Sequence, residues 1–321
     1  MMKKVLLSCV LLCFGVIGFI SCGRSNDSNV STPPADTVWH APDTGLIGKE
    51  SNAAAIWYGR KLITNTAYYL GPEGTVNKIS NGMNCQNCHL NAGAQPFGNN
   101  FGLVASTYPS LRPRSGKVEG IYQRINECIS RSMNGKKMDT GCKEMLAMAA
   151  YIYWVGKDVV KGTVPKGAGA AQLSFISRAA DTVNGKTAYI QKCALCHGGN
   201  GAGIPNVNTA GFQYPPLWGE SSYNNGASMF RLSKLAAYIK SNMPFGTTYQ
   251  APQLSDDEAW DIAAFIDSKK RPEMDLSKDW PDISQKPVDY PYGPYNDGFK
   301  EVQHKYGPFK PIALEKQDGK K

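Results

Sequence analysis

Two short runs of residues carry the same chemistry. "CQNCH" covers Cys85 to His89, and "CALCH" covers Cys193 to His197. In C-x-x-C-H, two thiols can bond the two vinyl groups on one edge of a haem. The adjacent histidine then reaches the iron as its proximal ligand. A single match can arise from a redox C-x-x-C followed by a chance histidine. Here the register occurs twice in a chain with only four histidines. A zinc site or a pair of disulfides gives no reason for the repeated histidine. The residues therefore predict two covalently bound haem c groups, attached through Cys85, Cys88, Cys193 and Cys196, with His89 and His197 on the irons.

A third run, "RINECISRSMNG" (Arg124 to Gly135), contains a cysteine that belongs to no motif. On a helix, Arg124, Cys128 and Ser132 follow one another at intervals of four, and Arg131 lies three beyond Cys128, so they share a face. A thiol flanked by guanidinium groups tends to ionise, and a thiolate is an electron-donating haem ligand. Two plainer roles compete. Cys128 can be a small buried side chain, or it can pair with Cys142 in "KKMDTGCKEML", which an oxidising compartment permits. The residues alone leave these readings open.

Stepping outward from the reactive residues, the flanking patterns read as helices. "AAAIWYGRKLITNTAYYL" predicts a helix leading to the first attachment site, and "KEMLAMAAYIYWVGK" a helix closing that domain. "NGKTAYIQKCALCHG" predicts a helix running straight into the second site. "LSDDEAWDIAAFIDSK" predicts its closing helix, with Ser255 as N-cap, Glu258 three residues later, and an apolar stripe behind them. The chain thus reads as mainly α, with two cytochrome c-like haem domains in tandem at residues 50–160 and 175–270. Residues 161–174 read as a linker, and 271–321 as an extended Pro- and Tyr-rich tail lying over the surface.

Each iron keeps one further position. Met243 in "SNMPFG" follows the predicted helix "MFRLSKLAAYIK" and is the expected thioether ligand of the second haem; Met229 reads as a helix-face core residue. For the first haem, Met133, Met138, Met145, Met148 and Cys128 all lie downstream of His89. Met145 and Met148 fall on the closing helix and read as core. His40 and His304 fall outside both domains and are expected at the surface, with an approach of His304 to a haem as the alternative for the tail.

The N-terminus reads as an export signal. Residues 1–22 have a basic start and a short apolar run ending in "FISC", which looks like a lipobox with Cys22 as the lipidation site. Residues 23–49 read as a flexible tether. This places the protein on the periplasmic or cell-surface side, anchored to a bacterial membrane by lipid. The formal charge is +9, or +7 once Lys3 and Lys4 leave with the signal. No basic block with interleaved aromatics accompanies it, so the charge points to small anions or an acidic redox partner and not to nucleic acid.

Taken together, the two attachment motifs, "RINECISRSMNG", the "SNMP" loop and the "HKYGPFKPI" tail resemble the dihaem thiosulfate dehydrogenases, some of which also reduce tetrathionate. The resemblance spans roughly residues 50–315. It implies that the first haem is the active-site haem, with His89 and Cys128 as axial ligands, and that the second passes electrons on, with His197 and Met243. It implies a substrate pocket formed by Arg114, Arg124 and Ser132, with Arg112 as a neighbour competing for the place of Arg114. Some members carry a lysine just before the methionine as an alternative ligand; this chain has Asn242 there, so that switch is not expected. The implied reaction joins two thiosulfate ions into tetrathionate, possible in reverse, with two electrons passed to a carrier such as a small cytochrome c. Arg131 is a further expected anion-holding group, and Cys128 is expected to form a transient S–S bond with one thiosulfate. A non-catalytic, membrane-tethered dihaem electron carrier is the rival reading. Only the Arg-Cys-Arg-Ser face argues against it. A dihaem peroxidase fits less well, because no acid/base group for peroxide stands out.

Overall fold

Each leading helix carries a glycine in its interior, where glycine costs about 0.5–1 kcal/mol relative to alanine. The structure, a computed structural model that describes residues 38–318, gives the reason. The first leading helix, Ala53–Thr64, buries Ile56, Gly59, Leu62 and Ile63 against the closing helix, Lys143–Val155. A Cβ on Gly59 would lie 1.9 Å from the Ala147 carbonyl oxygen. The second leading helix, Thr182–Lys192, crosses its closing helix, Asp256–Asp267, in the same way. A Cβ on Gly185 would lie 1.9 Å from the Asp261 carbonyl oxygen. In both modules the two backbones therefore touch, and no side chain fits between them.

The caps follow the sequence closely. Ser255 Oγ accepts from Glu258 N at 3.1 Å, and Glu258 Oε2 accepts from Ser255 N at 2.8 Å. Asp181 caps the second leading helix by accepting from Val183 N and Asn184 N. Arg178 makes a two-pronged ion pair with Asp261, 2.8 and 2.9 Å, across the Gly185 crossing. The first leading helix is shorter than predicted. It breaks at Asn65, and a second short helix, Thr66–Leu70, follows. The break turns Thr66 toward the attachment site, where its hydroxyl accepts from Cys85 N at 3.0 Å.

Three expectations about the connecting segments need correction. Residues 38–49, read as part of the tether, fold onto the first module: Trp39 and Ile47 are buried in its core, and Thr44–Lys49 form a 3-10 turn. The segment read as a linker is bound to the first module over residues 162–170, and its last residues, Leu173 and Ser174, meet the second. Lys166 O accepts from Trp39 N, Gly167 O from Phe97 N and Gly169 O from Asn100 N. The tail is not merely a surface wrap. It contains the helices Glu301–Tyr306 and Phe309–Asp318, and Phe309 and Ile312 complete the core of the second module beside Trp260. An amphipathic turn with two apolar anchors was hidden there by the surrounding Pro and Tyr residues. His304 is likewise buried, not at the surface: its Nδ1 meets Val288 O at 2.8 Å and its Nε2 meets Asp297 at 3.0 Å. His40 is exposed as expected. Cys22 and the export signal lie outside the described residues. Among the described residues, no helix is long and apolar enough to cross a membrane.

The two modules are joined by side-chain amides that satisfy backbone groups across the boundary. Asn224 Nδ2 donates to Ser130 O and Asn134 Oδ1, and Asn81 Nδ2 donates to Ser222 O. A small apolar cluster, Met83 and Met133 against Tyr223, Ala227 and Phe230, fills the space between. Replacing Gly185 with Ala is expected to cost about 3 kcal/mol through overpacking and to lower Tm by roughly 6 °C. Thermal unfolding followed by circular dichroism measures this, and an unchanged Tm would show that the crossing has room to spare.

Candidate active site

The helix Ile121–Arg131 carries Cys128 and follows a two-stranded hairpin, Ser110–Arg112 paired antiparallel with Lys117–Glu119. The hairpin's turn, closed by Gly116 at φ +66°, holds Arg114. Hairpin, helix and the first attachment segment surround a cavity of about 420 Å³. Cys85, Cys88, His89, Cys128, Arg114, Arg124 and Ser132 all line it. The sequence placed these seven residues over a span of nearly fifty positions, and the fold brings them to one space.

The donor set fits a covalently attached haem. His89 Nδ1 donates to Asn99 O at 2.5 Å, which leaves Nε2 with its lone pair as the only ring nitrogen able to bind a metal. Burial pushes the His89 imidazole down to about 4, against the opposing pull of the Asn99 carbonyl. At neutral pH it is therefore the neutral base that iron requires. His197 repeats the arrangement: its Nδ1 donates to Pro215 O at 2.9 Å, and burial again lowers its pKa. The Cys85 and Cys88 thiols are pushed up by burial, to about 12 and about 11. A redox dithiol needs the opposite shift. None of the six described cysteines is in a disulfide.

Cys128 and Cys142 thus carry no bond to each other. Cys142 instead caps the closing helix, with its Sγ accepting from Met145 N at 3.4 Å. The negative charge available at Cys128 is the largest cause holding the Arg124 guanidinium above its ordinary pKa. Arg124 also pairs with Glu127 at 2.9 Å. Ser132 ends the Cys128 helix, its amide donating to Cys128 O at 2.8 Å.

Arg114 and Arg131 are organised by the tail. Asp279 grips Arg131 with both oxygens, at 2.8 and 2.6 Å, and lies 4.0 Å from Arg114 Nε. Both arginines also donate to Gly226 O. The Trp280 ring lies 5.6 Å from the Arg114 guanidinium, and Trp280 N donates to Arg114 O at 2.7 Å. Burial, helped by Arg131 and opposed by Asp279, pushes Arg114 down to about 10, so it stays charged at neutral pH. Arg131 was expected to hold substrate. The geometry gives its charge to Asp279 instead. Arg112 lines the cavity as well as Arg114, so the choice between them is not exclusive.

Residues 75–159 match the family described as SoxA/TsdA, cytochrome c domain, and residues 182–270 match cytochrome c. The thiosulfate dehydrogenase of Psychrobacter arcticus is 36% identical over 241 residues, 75% of this chain and 71% of that protein. This chain belongs to the thiosulfate dehydrogenase family. The thiosulfate dehydrogenase of Allochromatium vinosum is 32% identical over 247 residues, 74% of this chain and 86% of that protein. The solved structure of thiosulfate dehydrogenase TsdBA from Marichromatium purpuratum superposes with a TM-score of 0.67 at 30% identity; the match covers 74% of this chain and 50% of that one. Two cytochrome c domains imply c-type haem as the cofactor.

Several residues that line the cavity escaped the sequence reading. Trp280 lines the cavity from a tail that carried no motif. Met229, read as helix-face core, sits in the 3-10 turn Ser228–Phe230 and lines the first module's cavity. Arg231 and Lys234 reach the same cavity from the second module, and their spacing of three on a helix was the available signal. Met243 ends the helix Leu232–Asn242 and packs half-buried on the second core. Its neighbour Asn242 is locked in place, bonded to Gln95, to Phe97 O and to Tyr238 O.

Asp279→Asn is expected to strand two buried guanidiniums and cost about 3 kcal/mol, read by denaturant unfolding. Cys142→Ala is expected to leave haem attachment intact, checked by mass spectrometry of the haem peptides, and to cost under about 1 kcal/mol as a lost cap.

Proposed function

We propose that the chain joins two thiosulfate ions into tetrathionate. Each dianion gives up one electron, and the two outer sulfurs bond to leave one dianion. The observation that supports this reading is the cavity in which Cys128, Arg114, Arg124 and Ser132 face the same space as His89 and the first attachment cysteines. Cys85 and Cys88 would hold one haem c, with His89 and Cys128 offered to its iron; Cys193 and Cys196 would hold a second, with His197 and Met243. When bound, the two haems supply one-electron acceptors, a thiolate ligand lowering one potential and a thioether raising the other.

The protein's own part is electrostatic and nucleophilic. Each pair of unit charges about 4 Å apart repels by roughly 4 kcal/mol at an effective dielectric near 20, and two dianions present several such pairs. Fixed guanidinium groups offset this and orient sulfonate oxygens. Arg114, held by Asp279, Gly226 and Trp280, and Arg124, held by Glu127, fill that role. The Ser132 hydroxyl stands one helical turn beyond Cys128 to orient a sulfonate. Freed from the iron, the Cys128 thiolate would bond the outer sulfur of one thiosulfate, the two electrons leaving through the one-electron acceptors that the two attachment sites would hold. The second thiosulfate then attacks that sulfur and returns Cys128 as thiolate, with no further change of oxidation state. The same residues serve the reverse reduction of tetrathionate.

The electrons pass to a carrier such as a small cytochrome c. Leu195, inside the second attachment motif, is 90% exposed, and Phe245, two residues after Met243, is 89% exposed. The chain works on the periplasmic or cell-surface side, tethered through lipid on Cys22.

Purified holoprotein is expected to reduce ferricyanide with thiosulfate, and to oxidise a reduced dye with tetrathionate; inactivity in both assays sinks the reading. Cys128→Ser is expected to abolish turnover while haem remains attached at both motifs.

A further inference from the structure

Lys234 belongs to the second module yet lines the cavity of the first. Its position is fixed by a carboxylate from the tail. Asp289, 1% exposed, accepts from Arg231 Nε at 3.0 Å and Nη2 at 2.5 Å, and from Ser233 N at 3.1 Å and Ser233 Oγ. This pins the first turn of the helix Leu232–Asn242, and Lys234 N donates to Arg231 O at 2.9 Å within it. Asp289 consumes the charge of Arg231. Among the described residues, no hydrogen bond or ion pair consumes that of Lys234. Burial, and next the neighbouring Arg231, push the Lys234 ammonium below its ordinary range, with Asp289 pulling the other way at longer range than an ion pair.

A half-buried ammonium with no hydrogen-bonded or ion-paired anion costs free energy that a paired one does not. Directly before Lys234 lies a cavity of about 420 Å³ shared with His89 and Cys128. Two kinds of oxyanion belong in that space: the propionate carboxylates of a haem attached at Cys85 and Cys88, and the sulfonate of a bound thiosulfate.

We infer that Lys234 holds an oxyanion in the first module's cavity, so that the second module supplies a binding residue to the site of the first. A carboxylate and a sulfonate present the same chemistry to an ammonium, and measurement separates them. Lys234→Met keeps the apolar stem and removes the charge; Lys234→Arg keeps the charge. Both are compared with the parent as holoproteins of matched haem content, by spectroelectrochemical titration of each haem and by steady-state thiosulfate kinetics.

If the oxyanion is a propionate, Lys234→Met lowers the midpoint potential of the first haem, because a lost positive charge favours the oxidised iron, and KM hardly moves. If it is the substrate sulfonate, KM rises roughly tenfold, kcat stays within about twofold, and both potentials hold. Lys234→Arg restores the parent behaviour in either case. Parent potentials together with a parent KM in Lys234→Met overturn the inference. Lys234→Gln gives the same readings if the Met variant loses haem. The sulfonate arm rests on the proposed reaction; parent protein inactive with thiosulfate fails that reading and leaves the potential measurement to decide the role of Lys234.

Discussion

The close crossing of two helices at a glycine is the constraint on which both modules are built. At Gly59 and at Gly185 the backbone of one helix rests on the carbonyl of another. Interiors packed to crystal-like density transmit such a contact over several residues. In the second module the leading helix runs directly into Cys193, so the crossing sets the position of the attachment segment. In the first, the path is longer: the break at Asn65 and the Thr66 hydroxyl carry the position of the helix to Cys85. One contact thus anchors two attachment sites whose surroundings have little else in common.

Around the first site, the arrangement is electrostatic. The tail contributes two carboxylates, Asp279 and Asp289, which fix Arg131 and Arg231. Burial alone would raise Asp289, but Arg231 and Ser233 more than compensate, and its pKa falls below the ordinary value. Asp289 therefore acts as a fixed anion at neutral pH. The two carboxylates take up the charge of Arg131 and Arg231 at the edge of the cavity, while among the described residues Arg112 and Lys234 line it beside Arg114 and Arg124 with no ion pair of their own. A segment that looked like covering is what determines which cations a bound anion meets.

The haem motifs, the helix pair of the second module and its capping box were legible because each rests on local spacing. Ser255 and Glu258 announce a helix start whatever surrounds them. The alignment of Arg124, Cys128 and Ser132 was legible for the same reason. What the sequence concealed depends on distant partners. No local pattern says that Asp279 lies beside Arg131, that Cys142 caps a helix and leaves Cys128 free, or that His304 is enclosed by Val288 and Asp297. The compositional reading of residues 161–174 and 271–318 failed for a related reason. Glycine and proline set backbone angles, and they say nothing of which backbone groups elsewhere will accept the hydrogen bonds.

Residues 166–170 bear on how such a chain can be divided. Their carbonyls and Asn100 hold the loop 97–100, and that loop supplies the carbonyl that orients His89. The stretch between the two haem motifs is in this way part of the wall behind the first histidine. Separability in sequence and separability in space are therefore different properties here. Cutting the chain midway between the modules would yield one self-contained cytochrome and one lacking its proximal support.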